Sequence, residues 1–222
     1  MSYFTPKLFT FFRSLKRHND RQWFADNRQR YVDDVEAPML QFIIEFAPRL
    51  RQISRAYVAD PRRSGGSMFR IYRDTRFSSD KSPFKVWTAA RFGHERRKQD
   101  DNVPGFYLHL GTEERIGGGG VYHLEMPALT RIRRHIVDAP ARWTAVKKSG
   151  VVIEGDMLAR APAGFDPAHK FIEDLRRKDL YSLKEFTEAQ VVAPDFLDRY
   201  TDACVGAAPL VEFLTKALEL KW

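Results

Sequence analysis

The sequence predicts an α+β protein in which a central, mostly antiparallel sheet is flanked by N-terminal and C-terminal helices, as one domain over residues 1–222. Three observations carry that expectation. Apolar residues recur at helical spacing through residues 1–55, the period changes to two over 68–123, and helical spacing returns over 127–222. The connections between the period-two runs are short, which favours antiparallel pairing. A composition of 43% hydrophobic and 30% charged residues over 222 positions gives a folded chain with room for a full core.

The first helix follows Thr5, an N-cap residue, with Pro6 at the first helical position and Leu8, Phe9, Phe12 and Leu15 along one face. It ends near His18. Asn19 or Asp20 caps a second helix carrying Trp23, Phe24 and Tyr31, and Pro38 opens a third with Met39, Phe42, Ile43, Phe46 and Leu50 on its apolar side. Pro48 is expected to kink or weaken that third helix. Strands are expected near 68–77, 84–93, 105–111 and 115–123. Beyond Pro127, Leu129, Ile132, Ile136 and Val137 mark a helix, and a shorter one around Trp143 and Val146 stops at Gly150. VVIEGDMLARAPAGF reads as one or two short strands and an irregular loop, whereas FIEDLRRKDL, DFLDRYTDAC and PLVEFLTKALEL read as helices. SGGS at 64–67 and GGGG at 117–120 are too short to be linkers.

Composition restricts the chemistry. With Cys204 as the single cysteine, an intramolecular disulfide and a thiolate metal cluster are excluded, and its apolar setting reads as a buried helical thiol. The start of the chain lacks a leader pattern and no apolar run reaches spanning length, so a cytoplasmic protein without a membrane partner is expected. GxxxxGK[ST], GxGxxG and GxSxG are absent, so no nucleotide cofactor or serine nucleophile has motif support. HERRK at 94–98 carries Lys98 where a zinc-binding HExxH needs its second histidine, and His94, His109 and His123 are scattered over strands, so no metal is assigned.

The segment FRIYRDTRFSSDKSPFKVW, with LKRHNDRQWFADNRQRY, GFYLHL, the glycine run before Val121 and Tyr122, and APAGFDPAH, resembles the family known as domain of unknown function 2461. The resemblance spans nearly the whole chain, and Phe84 stands where that family often has tyrosine. It implies a bacterial-type, single-domain α+β protein and brings no activity with it.

Strand parity then separates two faces. Phe69 and Ile71, Phe84 through Phe92 by twos, and Phe106, Leu108 and Leu110 form a core face. Arg70, Tyr72, Asp74 and Arg76, then Lys85, Trp87 and Arg91, then Tyr107 and His109 form a cationic and aromatic face. Arg73 falls on core parity and needs a carboxylate, Asp74 or Asp80. The turn SSDKSP offers hydroxyls and Lys81 either to an anion or to its own backbone, with Asp80 as the local cap.

An excess of 37 basic over 29 acidic residues, a net charge of +8, favours anionic partners. The favoured reading is a site for a phosphorylated or carboxylated small molecule held by Arg70, Arg76, Lys81 and Lys85, walled by Tyr72, Trp87, Tyr107 and His109. Its catalytic version stabilises developing negative charge with His109 as acid or base, although no reaction is assigned. The alternatives are nucleic acid stacked on the same basic, aromatic face, with Arg62, Arg63, Arg91, Arg96, Arg97, Lys98, Arg131, Arg133 and Arg134 extending the footprint, and an acidic protein partner.

Overall fold

The computed structural model describes residues 2–96 and 102–222; Arg97, Lys98 and the end of HERRK lie outside the described residues. The N-terminal part follows the capping logic of its sequence. Thr5 accepts the Lys7 amide at the start of α1 (Pro6–Arg17), and Asp20 accepts the Trp23 amide at the start of α2 (Arg21–Asp26). Short α3 (Arg28–Tyr31) continues through a π-helical turn, Val32–Glu36, into α4 (Ala37–Ile53), so the third helix begins before Pro38 instead of at it.

Pro48 lies inside α4, and the helix continues through it. The carbonyl that loses its amide partner belongs to Ile44, whose side chain is 48% exposed, so solvent reaches that side of the helix. The same device joins the two helices expected near the C-terminus into one, α9 (Phe196–Ala217), through Pro209: the residue four back, Val205, is 53% exposed. Cys204 is fully buried on α9, and burial pushes its thiol pKa up.

Four strands, β1 (Trp87–Gly93), β2 (Gly105–Gly111), β3 (Arg115–Val121) and β4 (Leu180–Glu185), form an antiparallel sheet in that order. Three of them fall where period two predicts them. The fourth does not: the segment expected as a strand at 68–77 makes only isolated bridges, Met68 to Ala90 and Tyr72 to Phe84, along the free edge of β1. Six steps on one arm face four on the other, so the pairing is bulged and regular alternation fails.

β4 comes instead from LYSLKE, which starts on the last residue of FIEDLRRKDL, the stretch expected to be helical. Only Ile172–Leu175 coils, as α7, because the next residues are drawn onto 156–158: Lys178 donates its amide to Asp156 at 2.7 Å, and the Arg176 side chain donates to the Leu158 carbonyl at 2.8 Å. The expected strands in VVIEGDML reduce to single bridges, Glu154 to Tyr181 and Met157 to Arg177. Helices α5 (Met126–Asp138) and α6 (Pro140–Lys148) lie where predicted, and α8 (Glu188–Val191) precedes α9. Among the described residues no helix is long and apolar enough to cross a membrane.

The core forms two clusters bridged by α9. Phe196, Tyr200, Cys204 and Val211 join α1, α4 and the sheet, while Leu210, Phe213 and Leu214 join α5 and α6 around Trp143. The glycine run explains how α9 sits so close. A Cβ on Gly117 would stand 2.7 Å from the Tyr200 ring, and one on Gly119 2.7 Å from Val211 Cγ2. On the opposite parity, a Cβ on Gly118 or Gly120 would meet the β4 backbone within 2.3 Å. A packed helix and a neighbouring strand therefore require the four glycines.

Candidate functional site

The inner face of the sheet carries Ala90, Phe92, Phe106 and Leu108, covered by α4 and α9, with Phe46 to Phe92 ring centroids 4.8 Å apart. The outer face presents Trp87, Arg91, Tyr107 and His109, as parity requires. The bulge adds a residue that parity had placed in the core. Phe69 donates its amide to the Ala89 carbonyl at 2.9 Å, turns outward, and stands edge-on to Trp87 and Tyr107 at 6.4 and 6.2 Å between centroids.

Lys85 closes this cluster. Its amide is fixed on the Ile71 carbonyl, its ammonium donates to the Arg70 carbonyl at 2.8 Å, and Nζ lies 5.0 Å from the centre of Trp87 and 5.5 Å from that of Phe69. An ammonium has three donors, so two remain. Burial, and then the nearby positive charge of Arg70, lower its pKa. Among the described residues neither Lys85 nor the Arg70 side chain has a carboxylate within ion-pair distance.

Beneath them the rings make a neutral hydrogen-bonded set. Trp87 and His109 lie 4.7 Å apart, and the Tyr107 hydroxyl is 3.2 Å from His109 Nδ1. Burial, with the Glu114 charge adding to it, pushes the Tyr107 pKa up to about 12, and burial lowers that of His109 to about 4. The Glu114 carboxylate 3.9 Å from Nε2 favours the imidazole proton on that nitrogen, which leaves Nδ1 to accept from the Tyr107 hydroxyl. At neutral pH this pair can offer hydrogen bonds without carrying charge.

The turn residues are occupied differently. Arg76 holds Asp74 through two parallel hydrogen bonds of 3.0 and 2.7 Å, and Lys81 donates to the Thr75 carbonyl at 2.9 Å. Arg73 pairs with Asp80 and donates to Ser82 Oγ at 2.6 Å, while Asp80 accepts from the Ser82 amide and hydroxyl. Tyr72 packs against Phe84 and Phe24, toward α2. The structure thus gathers Lys85, Trp87, Tyr107 and His109, with Arg70 at their rim, and engages Arg76, Lys81 and Tyr72 elsewhere in the segment.

The histidines have different neighbours. His94 is buried, accepts the Arg96 amide on Nδ1 at 3.2 Å and so donates through Nε2 to the Lys221 carbonyl at 3.0 Å; the His123 amide is held by Asp179. Of the wider cationic footprint, Arg62 and Arg63 pair with Asp60 and Glu36. Arg133 is a correction to it: at 2% exposure, donating to the Arg177 carbonyl at 3.0 Å, it belongs to the interior.

A family model described as "Conserved hypothetical protein (DUF2461)" matches residues 7–213. The chain belongs to the DUF2461 family. Its matched span includes the clasped turn, the outer-face cluster and the glycine strand of this DUF2461 protein. No curated protein and no solved structure matches the chain.

Proposed function

We propose that this protein binds a phosphorylated or carboxylated small molecule on the outer face of its sheet, with the anion on Arg70 and Lys85 and an apolar or ring portion against Phe69 and Trp87. The observation that carries the reading is the pair of adjacent cations lacking a carboxylate partner on an aromatic floor. Two like charges side by side repel, and an anion between them relieves that repulsion while meeting the Lys85 ammonium, which the Arg70 carbonyl already fixes in place. The neutral His109 adds a directional hydrogen bond through Nε2–H without competing for the negative charge, while the one Tyr107 proton stays on His109 Nδ1.

A second reading takes the same face as a surface for single-stranded nucleic acid. It is favoured by α4 and α9 both packing on the inner face, while Tyr181 and Leu183 of β4 continue the outer face, half-buried, beyond the glycines.

Thermal-shift and calorimetric screening against nucleotides, sugar phosphates, carboxylates and short oligonucleotides separates the two. A saturable small anion whose affinity falls at least tenfold in Arg70→Ala and Lys85→Ala supports the first reading. Affinity that rises with oligonucleotide length and falls steeply with salt supports the second. Binding unchanged by both variants sinks the site.

A further inference from the structure

A separate cavity of about 250 Å³ lies between α5 and the loop 163–169, part of the APAGFDPAH stretch that the sheet face leaves without a role. Thr130, Arg134 and Asp138 line it from α5, and Phe165, Asp166 and His169 line it from the loop. The three α5 residues follow at four-residue spacing and so form one stripe along the helix.

The charges on that stripe are exposed, and unpaired among the described residues. Arg and Asp four apart on a helix ordinarily can pair, yet neither Arg134 nor Asp138 has a hydrogen-bond or ion-pair partner among the described residues. Asp138 also ends α5, where the helix contributes negative partial charge, so a cation is favoured there on two counts. Burial, and then the charge of Arg142, lower the pKa of the neighbouring His135 against the opposing effect of Asp138.

The loop is held in place by hydrogen bonds that use only one acceptor each of the Asp166 and His169 side chains. Asp166 Oδ1 accepts the Ala168 amide at 2.8 Å, the His169 amide returns to the Asp166 carbonyl at 3.0 Å, and His169 Nδ1 accepts the Phe171 amide at 3.2 Å. With Nδ1 an acceptor, Nε2 is the donor left to a ligand. Gly164, at φ +81°, makes the bend and leaves open space where a side chain would stand.

We infer that this cavity binds a small zwitterion of the α-amino-acid type, its carboxylate on Arg134 and its ammonium on Asp138. Residues one turn apart have Cβ atoms about 5–6 Å from each other, a spacing that lets them reach neighbouring groups of opposite charge on one small molecule. The volume lies below the roughly 300–1,000 Å³ of sites for drug-sized ligands. Thr130, Asp166 and the His169 Nε2 donor remain for the ligand's side chain. The site shares no residue with the sheet face and stands or falls independently of it.

The test is an NMR titration of the isotope-labelled full chain with the common L-α-amino acids, alongside N-acetyl-L-alanine and L-alanine methyl ester, which each lack one of the two charges. Expected are saturable shifts confined to 130–138 and 163–169, at least tenfold weaker for both single-charge analogues and for Arg134→Gln and Asp138→Asn. Saturation by N-acetyl-L-alanine at equal affinity would reduce the cavity to a plain anion site and overturn the proposal. So would the absence of saturable shifts with every amino acid, or affinities unchanged in two folded variants.

Discussion

Arg73 reaches across its own turn to Asp80 and Ser82, and this one guanidinium closes the segment 73–82 into a clasp. Arg76, three residues on, only doubles back on Asp74 and is 76% exposed at its side chain. Arg73→Ala should therefore free the turn, while Arg76→Ala should leave it closed. Limited proteolysis and amide exchange at Ser82 read the difference: opening rises several-fold in the first variant and stays near wild type in the second. Equal protection in both would mean that the backbone alone holds the turn.

Acid loosens the same turn. Hydrogen bonds from Arg76 hold the Asp74 pKa down to about 2, and those from Ser82 and Arg73 hold Asp80 lower still. A depressed carboxylate contributes fully above its unfolded value of about 4 and loses its contribution as pH falls through the folded value. Protection of the Ser82 amide should hold at pH 5 and decline from about pH 4 toward 2. His109 acts in a higher window. With its folded pKa at about 4 against an ordinary value of 6.5, the unfolded chain takes up a proton that the native ring refuses, so stability falls between pH 6.5 and 4. The loss is up to about 3 kcal/mol across that window. Urea unfolding from pH 7.5 to 4 should show it, and His109→Phe should flatten that part of the profile.

The glycine strand makes a steric prediction. Gly119→Ala puts a methyl 2.7 Å from Val211 and 2.9 Å from Phe106, so α9 must lift from the sheet at a cost of about 1–3 kcal/mol. Gly206, inside α9, has nothing within 4 Å of its would-be Cβ. Gly206→Ala should stabilise by about 0.5–1 kcal/mol through helix propensity alone. Opposite signs in chemical denaturation check the pair together.

These contrasts also show which features were legible in the residues. Strands 84–93 and 105–111 announce themselves because one face is apolar throughout, and the outer cluster of Trp87, Tyr107 and His109 follows from parity alone. Phe69 escapes that logic, since its segment pairs with β1 only through isolated bridges, and no local pattern records where the alternation breaks between Phe69 and Ile71. LYSLKE of β4 has too few apolar positions to declare a strand; its place is set by β3, a chain segment about sixty residues earlier. Arg73 was legible as a cation in need of a carboxylate, but the choice between Asp74 and Asp80 is a matter of turn geometry. Arg134 and Asp138 could be read as an ordinary surface pair, and only the loop across from them makes a cavity of that stripe.

Tyr57 OH and Thr215 Oγ1 lie 2.6 Å apart, and Thr215 Oγ1 lies 2.6 Å from the Val211 carbonyl. A carbonyl only accepts, so the one proton of Thr215 goes to Val211 and Tyr57 must be the donor in the other bond. The two substitutions are then unequal. Tyr57→Phe removes a donor and leaves Thr215 still bonded to its helix, at about 0.5–1.5 kcal/mol, whereas Thr215→Val strands a buried phenol, 2% exposed as a residue, at about 1–3 kcal/mol. With both changed no polar group is orphaned, so the double variant should be more stable than Thr215→Val alone. Urea denaturation of the three variants tests the order, and a double variant whose loss equals the sum of the singles would show that the hydroxyls are not coupled.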